Sequence, residues 1–307
     1  MLSRSPTLFG KHFVIGLPFF WLIIFFLFPF LILLYISFVD MGNDVSPFKP
    51  LWSSESGSLL IKLENFISIF RSAQTNLWGD TLYLDAYFRS LAYAAITALL
   101  CLFLGYPFAY FIARSTPSAR TGLLMMVMLP FWTSLLLRVY AWKGILADQG
   151  VINRALMFLG LIEEPILMLY TNISMLVGMT YVYLPFMVLP LYATLVKLDV
   201  RLLEASYDLG ASPFKTFWLV TVPLSKNGIL AGLMLVFIPA VGEFVIPSLL
   251  GGPENLMIGR VVWDEMFTSN NWPRACALAV IMIFSIIFPL VIYYHKAGSS
   301  VLYKYKD

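Results

Sequence analysis

Six runs of apolar residues, near 13–38, 90–113, 121–142, 173–195, 227–250 and 275–295, constrain this chain more than any motif does. A hydrocarbon core about 30 Å thick takes roughly 20 helical residues to cross. Inside lipid only a helix or a closed barrel satisfies its own backbone polar groups. The runs therefore predict an all-α integral membrane protein with six transmembrane helices in a single domain over 1–307. Composition agrees: 60% of the 307 residues are hydrophobic and 12% charged, too few charges to cover a soluble domain of this size. The first run is too long and bulky for a secretory signal and lacks a small-residue cleavage site, so it is expected to stay as a span. The two cysteines, Cys101 and Cys276, suggest neither a disulfide framework nor a zinc site.

Six spans put both termini on one side. Arg4, Lys11, Arg114, Arg120, Lys197, Arg201, Lys215, Lys226, Lys296, Lys304 and Lys306 fall there, against only Asp199, Glu204, Asp208 and Asp307. The opposite side is richer in acids than bases and includes Asp40, Asp44, Glu55, Asp80, Glu254 and Glu265. The positive-inside rule makes the basic side cytoplasmic. A polar loop, 39–89, carries an amphipathic piece expected at Asn65–Ser72.

The cytoplasmic segment 199–223 is the longest amphipathic stretch, and it reads as two short helices. Asp199 is placed to N-cap the first, and Gly210 stands where a helix ends in the left-handed conformation that glycine adopts cheaply. Ser212-Pro213 restarts a helix, with serine as cap and proline in the first turn. Val222-Pro223 is expected to close it.

The residues Glu204-Ala205-Ser206, Gly210, Val220, Val222 and Pro223 resemble the EAA loop of ABC importer permeases. Ser206, Val220 and Val222 depart from the family's alanine, isoleucine and leucine. The resemblance implies the type I importer permease fold. It also implies that this loop is a coupling helix docking into a cleft on a cytoplasmic ATPase. Glu204, Ala205, Ser206, Gly210 and Pro223 would be the coupling residues.

No Gly-x-x-x-x-Gly-Lys-Ser/Thr stretch, Gly-x-Ser-x-Gly, His-Glu-x-x-His or Cys/His cluster occurs, so the chain is not expected to be an enzyme. ATP and Mg would belong to a partner ATPase, with no cofactor in this chain and no nucleic-acid role. Inside the spans, Glu243 is the one deep acid, about 10 Å from Leu250 at helical rise. It sits in a stretch broken by Pro239, Gly242 and Pro247. An intramembrane carboxylate is costly and usually faces a pathway or a partner; the bland alternative is a hydrogen-bonded prop for the kink. Trp132 and Tyr183 are expected to line the same pathway through cation–π attraction. Arg138, near the outer end of its span, is expected to snorkel or pair with an acidic loop residue.

Further stretches resemble the putrescine/spermidine branch of the family: Gly105–Tyr110, Leu129–Ser134, Arg138–Trp142, Leu184–Pro190, Phe237–Pro247 and Leu250–Gly259. That implies a polyamine importer of the bacterial inner membrane. Its partners would be two ATPase copies, a second homologous permease and a periplasmic binding protein. An ABC permease for another small solute is the nearest rival. An ion-coupled secondary transporter is a more distant one, since a single deep carboxylate offers little coupling route. A membrane scaffold that transports nothing is the third.

Overall fold

The computed structural model describes residues 8–43, 46–51, 61–71, 82–252 and 255–303. Arg4, Asp44, Glu55, Asp80, Glu254, Lys304, Lys306 and Asp307, all used in weighing the two sides, lie outside those residues. Among the described residues three helices are long and apolar enough to cross a membrane: Phe13–Ser37, Leu82–Arg114 and Asn172–Leu195. Two bent pairs, Pro117–Trp132 with Leu135–Phe158 and Pro213–Leu224 with Lys226–Val241, raise the number to five if each is one span. The sixth run supplies a shorter apolar stretch, Trp272–Phe288, within a helix that continues to Tyr303.

The chain divides into two compact units, one holding the residues up to Tyr83 and from Val262, the other Leu84–Val261. In the first, the Leu8–Leu22 helix widens into a π turn over Ile23–Leu27 and returns to α geometry at Phe28–Ser37. Proline explains the widening. Pro29 has no N–H to donate, and the residue before it, Phe28, bonds five residues back to the Ile23 carbonyl. Most apolar side chains of this span, Phe13 to Ile32, are exposed, a state that water penalises and lipid accepts. Beyond it, Ile36, Val39 and Cys276 form a small core with Leu33, Phe48, Leu51 and Trp272 against it. The expected amphipathic piece is a helix, Glu64–Arg71. Asn65 pins it by donating to the carbonyls of Ser37 (3.0 Å) and Val39 (2.8 Å). Lys62 pairs with Asp40 at 2.9 Å and, as the nearest cation, holds that carboxyl below its usual range.

In the second unit, Asn172–Leu195 packs along Lys226–Val241. The approach is close because Gly228 and Gly232 lie one turn apart on the contact. A Cβ at Gly232 would come 2.5 Å from the Met187 sulfur, and one at Gly228 2.6 Å from Thr194 Oγ1. Met175, Met179, Met187, Leu191, Val236 and Ile246 form the buried seam. Both cysteines are free, buried thiols.

Two spans are less regular than the apolar runs alone predict. The third run bends by 90° at Thr133-Ser134. There Thr133 turns extended and donates its N–H and hydroxyl to the Pro130 carbonyl, which ends the helix. The fifth run is not one helix over 227–250. It stops at Val241, passes through Gly242–Phe244 and restarts as Val245–Leu250.

Candidate functional site

The segment 199–224 is built by its own caps. Asp199 Oδ1 accepts from the Arg201 N–H at 3.0 Å and starts the Val200–Asp208 helix. That helix ends in a Schellman turn: Gly210 has φ +80°, its N–H reaches the Tyr207 carbonyl, and the Ala211 N–H reaches that of Ser206. A side chain at Gly210 would cost about 1–2 kcal/mol in that conformation. Ser212 then caps Pro213–Thr216 by accepting from the Lys215 N–H at 3.4 Å.

Pro223 does not close this helix. Helical backbone runs on to Leu224, and the break comes at Ser225, with a 67° bend into Lys226–Val241. Ahead of the proline, Phe217–Thr221 is a π turn in which the Val222 N–H bonds to the Phe217 carbonyl. This is the device seen before Pro29: the chain absorbs a missing donor by widening, where a stop is expected from the residue type.

The two short helices are joined through Ser206. Its hydroxyl donates to the Leu203 carbonyl (2.8 Å) and shares a hydrogen bond with Thr216 Oγ1 (2.7 Å), both residues being buried. Glu204 and Ala205 stay on the exposed face. Leu209 at the turn is 89% exposed and Phe214 73%. Together they display an apolar knuckle where the two short helices meet. The Ser206–Thr216 contact was missed in the sequence, although the serine in place of alanine was visible there.

The second site lies at the broken fifth run. Glu243 sits between the two helices, half-buried. Its Oε1 accepts from the N–H groups of Val245 (3.0 Å) and Ile246 (3.4 Å), which caps the Val245–Leu250 helix. Oε2 accepts from the Tyr183 hydroxyl at 2.5 Å. Glu243 and Tyr183 are thus brought together, and the carboxylate holds the break in shape. Phe186 lies 6.2 Å from the Tyr183 ring, and Phe131 packs edge-on against Phe186 at 5.1 Å. Trp132 is not in this cluster; its side chain is 79% exposed, and its neighbour Phe131 points inward instead. Arg138 stacks over Phe131 at 5.6 Å, and among the described residues two of its buried nitrogens carry no hydrogen bond.

Comparison with known proteins joins these parts. The pattern of the family described as "Binding-protein-dependent transport system inner membrane component" matches residues 105–298, which include both sites. The chain belongs to that family. This permease is 38% identical over 289 residues to the spermidine/putrescine transport system permease protein PotB of Haemophilus influenzae, covering 94% of this chain and 93% of the relative. To PotB of Escherichia coli K12 it is 36% identical over 277 residues, covering 90% and 94%. A bacterial alginate ABC transporter, solved with an alginate pentasaccharide-bound periplasmic protein, shares the permease's fold at TM-score 0.65. The sequences there are 15% identical, and 92% of each chain is covered. The permease is accordingly a multi-pass inner-membrane component of a binding-protein-dependent ABC importer, the family read from the 204–223 pattern.

Proposed function

We propose that this permease carries polyamines, putrescine and/or spermidine, into the cell by alternating access. The observation that carries the reading is its near-full-length likeness to the spermidine/putrescine permeases. The assembly would contain two copies of an ATPase that binds ATP and Mg, a second homologous permease and a periplasmic binding protein. With six spans in one domain and both termini cytoplasmic, the 199–224 element would lie on the ATPase side. There Glu204, Ala205 and the Leu209 knuckle meet the ATPase, while Ser206, Gly210 and Pro223 shape the element. Closing of the ATPases would move it, and the bend at Ser225 would pass the movement to the Lys226–Val241 helix.

The cation pathway would pass Glu243 and Tyr183, with Trp132 nearer its edge. A carboxylate has about four acceptor positions. Three donors contact Glu243 here, which leaves room for an ammonium. Aromatic rings at such a site add about 0.5–2 kcal/mol each when they face the cation. The test is uptake of radiolabelled putrescine and spermidine in cells with and without this gene, other polyamine importers deleted. Gene-dependent uptake is expected. Unchanged uptake, with the complex still assembling on its ATPase, would keep the permease and discard the cargo.

A further inference from the structure

An apolar groove of about 510 Å³ lies in the Leu84–Val261 unit, away from Glu243. One wall is a stripe of the Leu82–Arg114 helix that includes Leu99, Phe103, Tyr106 and Tyr110; the other includes Phe217, Trp218 and Val222. From Leu99 to Tyr110 the stripe covers about 16 Å at helical rise. That is close to half of a hydrocarbon core about 30 Å thick, the depth of one leaflet. Tyrosine and tryptophan on such a surface suit the headgroup level.

The groove has a charged end. Arg114 lies one turn beyond Tyr110 on the same face, its guanidinium 5.5 Å from that ring. One of its terminal nitrogens, NH2, is buried and makes no hydrogen bond among the described residues. A buried donor without an acceptor is costly. The neighbouring Arg120 differs, since it spends Nε and NH2 on the carbonyls of Ser115 and Ala113, both at 2.9 Å. Arg114 as a whole is only partly buried, and its guanidinium, lying over a groove-lining ring, presents a positive charge at that end, where a guanidinium fits a phosphate well.

We infer that this groove holds an anionic phospholipid, one acyl chain lying along the Leu99–Tyr110 stripe and its phosphate on Arg114. Hydrocarbon alone would leave Arg114 unmet. The far wall is the π turn that follows the 199–216 element, so a seated acyl chain stiffens the joint through which that element moves. The site does not depend on the cargo.

The full chain, purified with the subunits it assembles with, is tested by native mass spectrometry for retained phosphatidylglycerol and phosphatidylethanolamine. Phosphatidylglycerol is expected in excess. Arg114→Gln should lower it about fivefold, the factor one basic residue contributes at an anionic surface, and Arg114→Lys less. If Arg114→Gln fails to assemble, the wild-type complex in bilayers of brominated lipid decides. Quenching of the Trp218 signal, taken as the difference from Trp218→Phe, should be stronger with brominated phosphatidylglycerol than with brominated phosphatidylcholine. Equal retention of the two lipids, equal quenching, or efficient crosslinking of Trp218→Cys to another subunit would overturn the assignment.

Discussion

The 199–224 element and the Glu243 break both interrupt a helix, but they are stabilised in opposite ways. The first is held by contacts a few residues apart: the Asp199 cap, the Gly210 turn, the Ser212 cap and the Ser206–Thr216 bond. Its outer face is left free. The second is held from afar. Glu243 caps the helix that follows it, but its other oxygen is met by Tyr183, 60 residues away in sequence, on a helix packed alongside. A self-capped element can move as a body and offer a surface. A break tied into the core keeps its geometry only while its neighbours hold theirs.

The largest effect that bears on this contrast is expected from Glu204→Lys. It reverses the charge of an exposed residue, so membrane insertion should persist while polyamine uptake is lost; wild-type uptake would remove the coupling role. Glu243→Gln comes next. The amide keeps the shape but not the charge, and a hydrogen bond to a charged group is worth about 1.5–3 kcal/mol. Uptake kinetics should show a higher KM or a lower rate, by roughly tenfold or more, and Tyr183→Phe should follow in the same direction. Unchanged kinetics in both would leave Glu243 as a prop for the break.

Gly210→Ala should destabilise the turn by about 1–2 kcal/mol through its left-handed backbone. Faster proteolysis or hydrogen exchange confined to 199–216 is the readout. Ser206→Ala should cost about 1 kcal/mol, the typical net value of one hydrogen bond. Comparing the two variants shows whether the glycine or the inter-helix bond sets the element's shape. The smallest effect belongs to Asp40 and Lys62. Because the folded Asp40 pKa is lowered, its contribution is present above the ordinary carboxylate range and fades as the pH falls through the folded value. The pair is exposed, so Lys62→Gln should shift stability by about 0–1 kcal/mol and flatten that acid-side dependence.

The same contrast explains how much was legible in the sequence. The 199–224 element could be read residue by residue because its caps are local chemistry. The family followed from Glu204, Gly210 and Pro223. Pro223 itself was misleading: a proline says that a donor is missing, not whether the helix will stop or widen, and here it widens. The Glu243 break was visible as a cluster of proline and glycine, but its partner Tyr183 was one of several aromatic candidates until packing chose it. Between Phe131 and Trp132, adjacent and both aromatic, nothing in the sequence says which turns inward once the helix ends at Thr133. The bend at Thr133-Ser134 contains neither glycine nor proline and gave no signal of its angle.

The most direct measurement on the central claim is site-specific crosslinking from the exposed knuckle. In an otherwise cysteine-free, assembled complex, Leu209→Cys and Phe214→Cys are treated with a short bifunctional thiol reagent, with Trp132→Cys as the control. Crosslinks from Leu209→Cys and Phe214→Cys to the ATPase subunit, and none from Trp132→Cys, are the predicted result. A complex that co-purifies and transports yet gives no crosslink from either knuckle position would contradict the account.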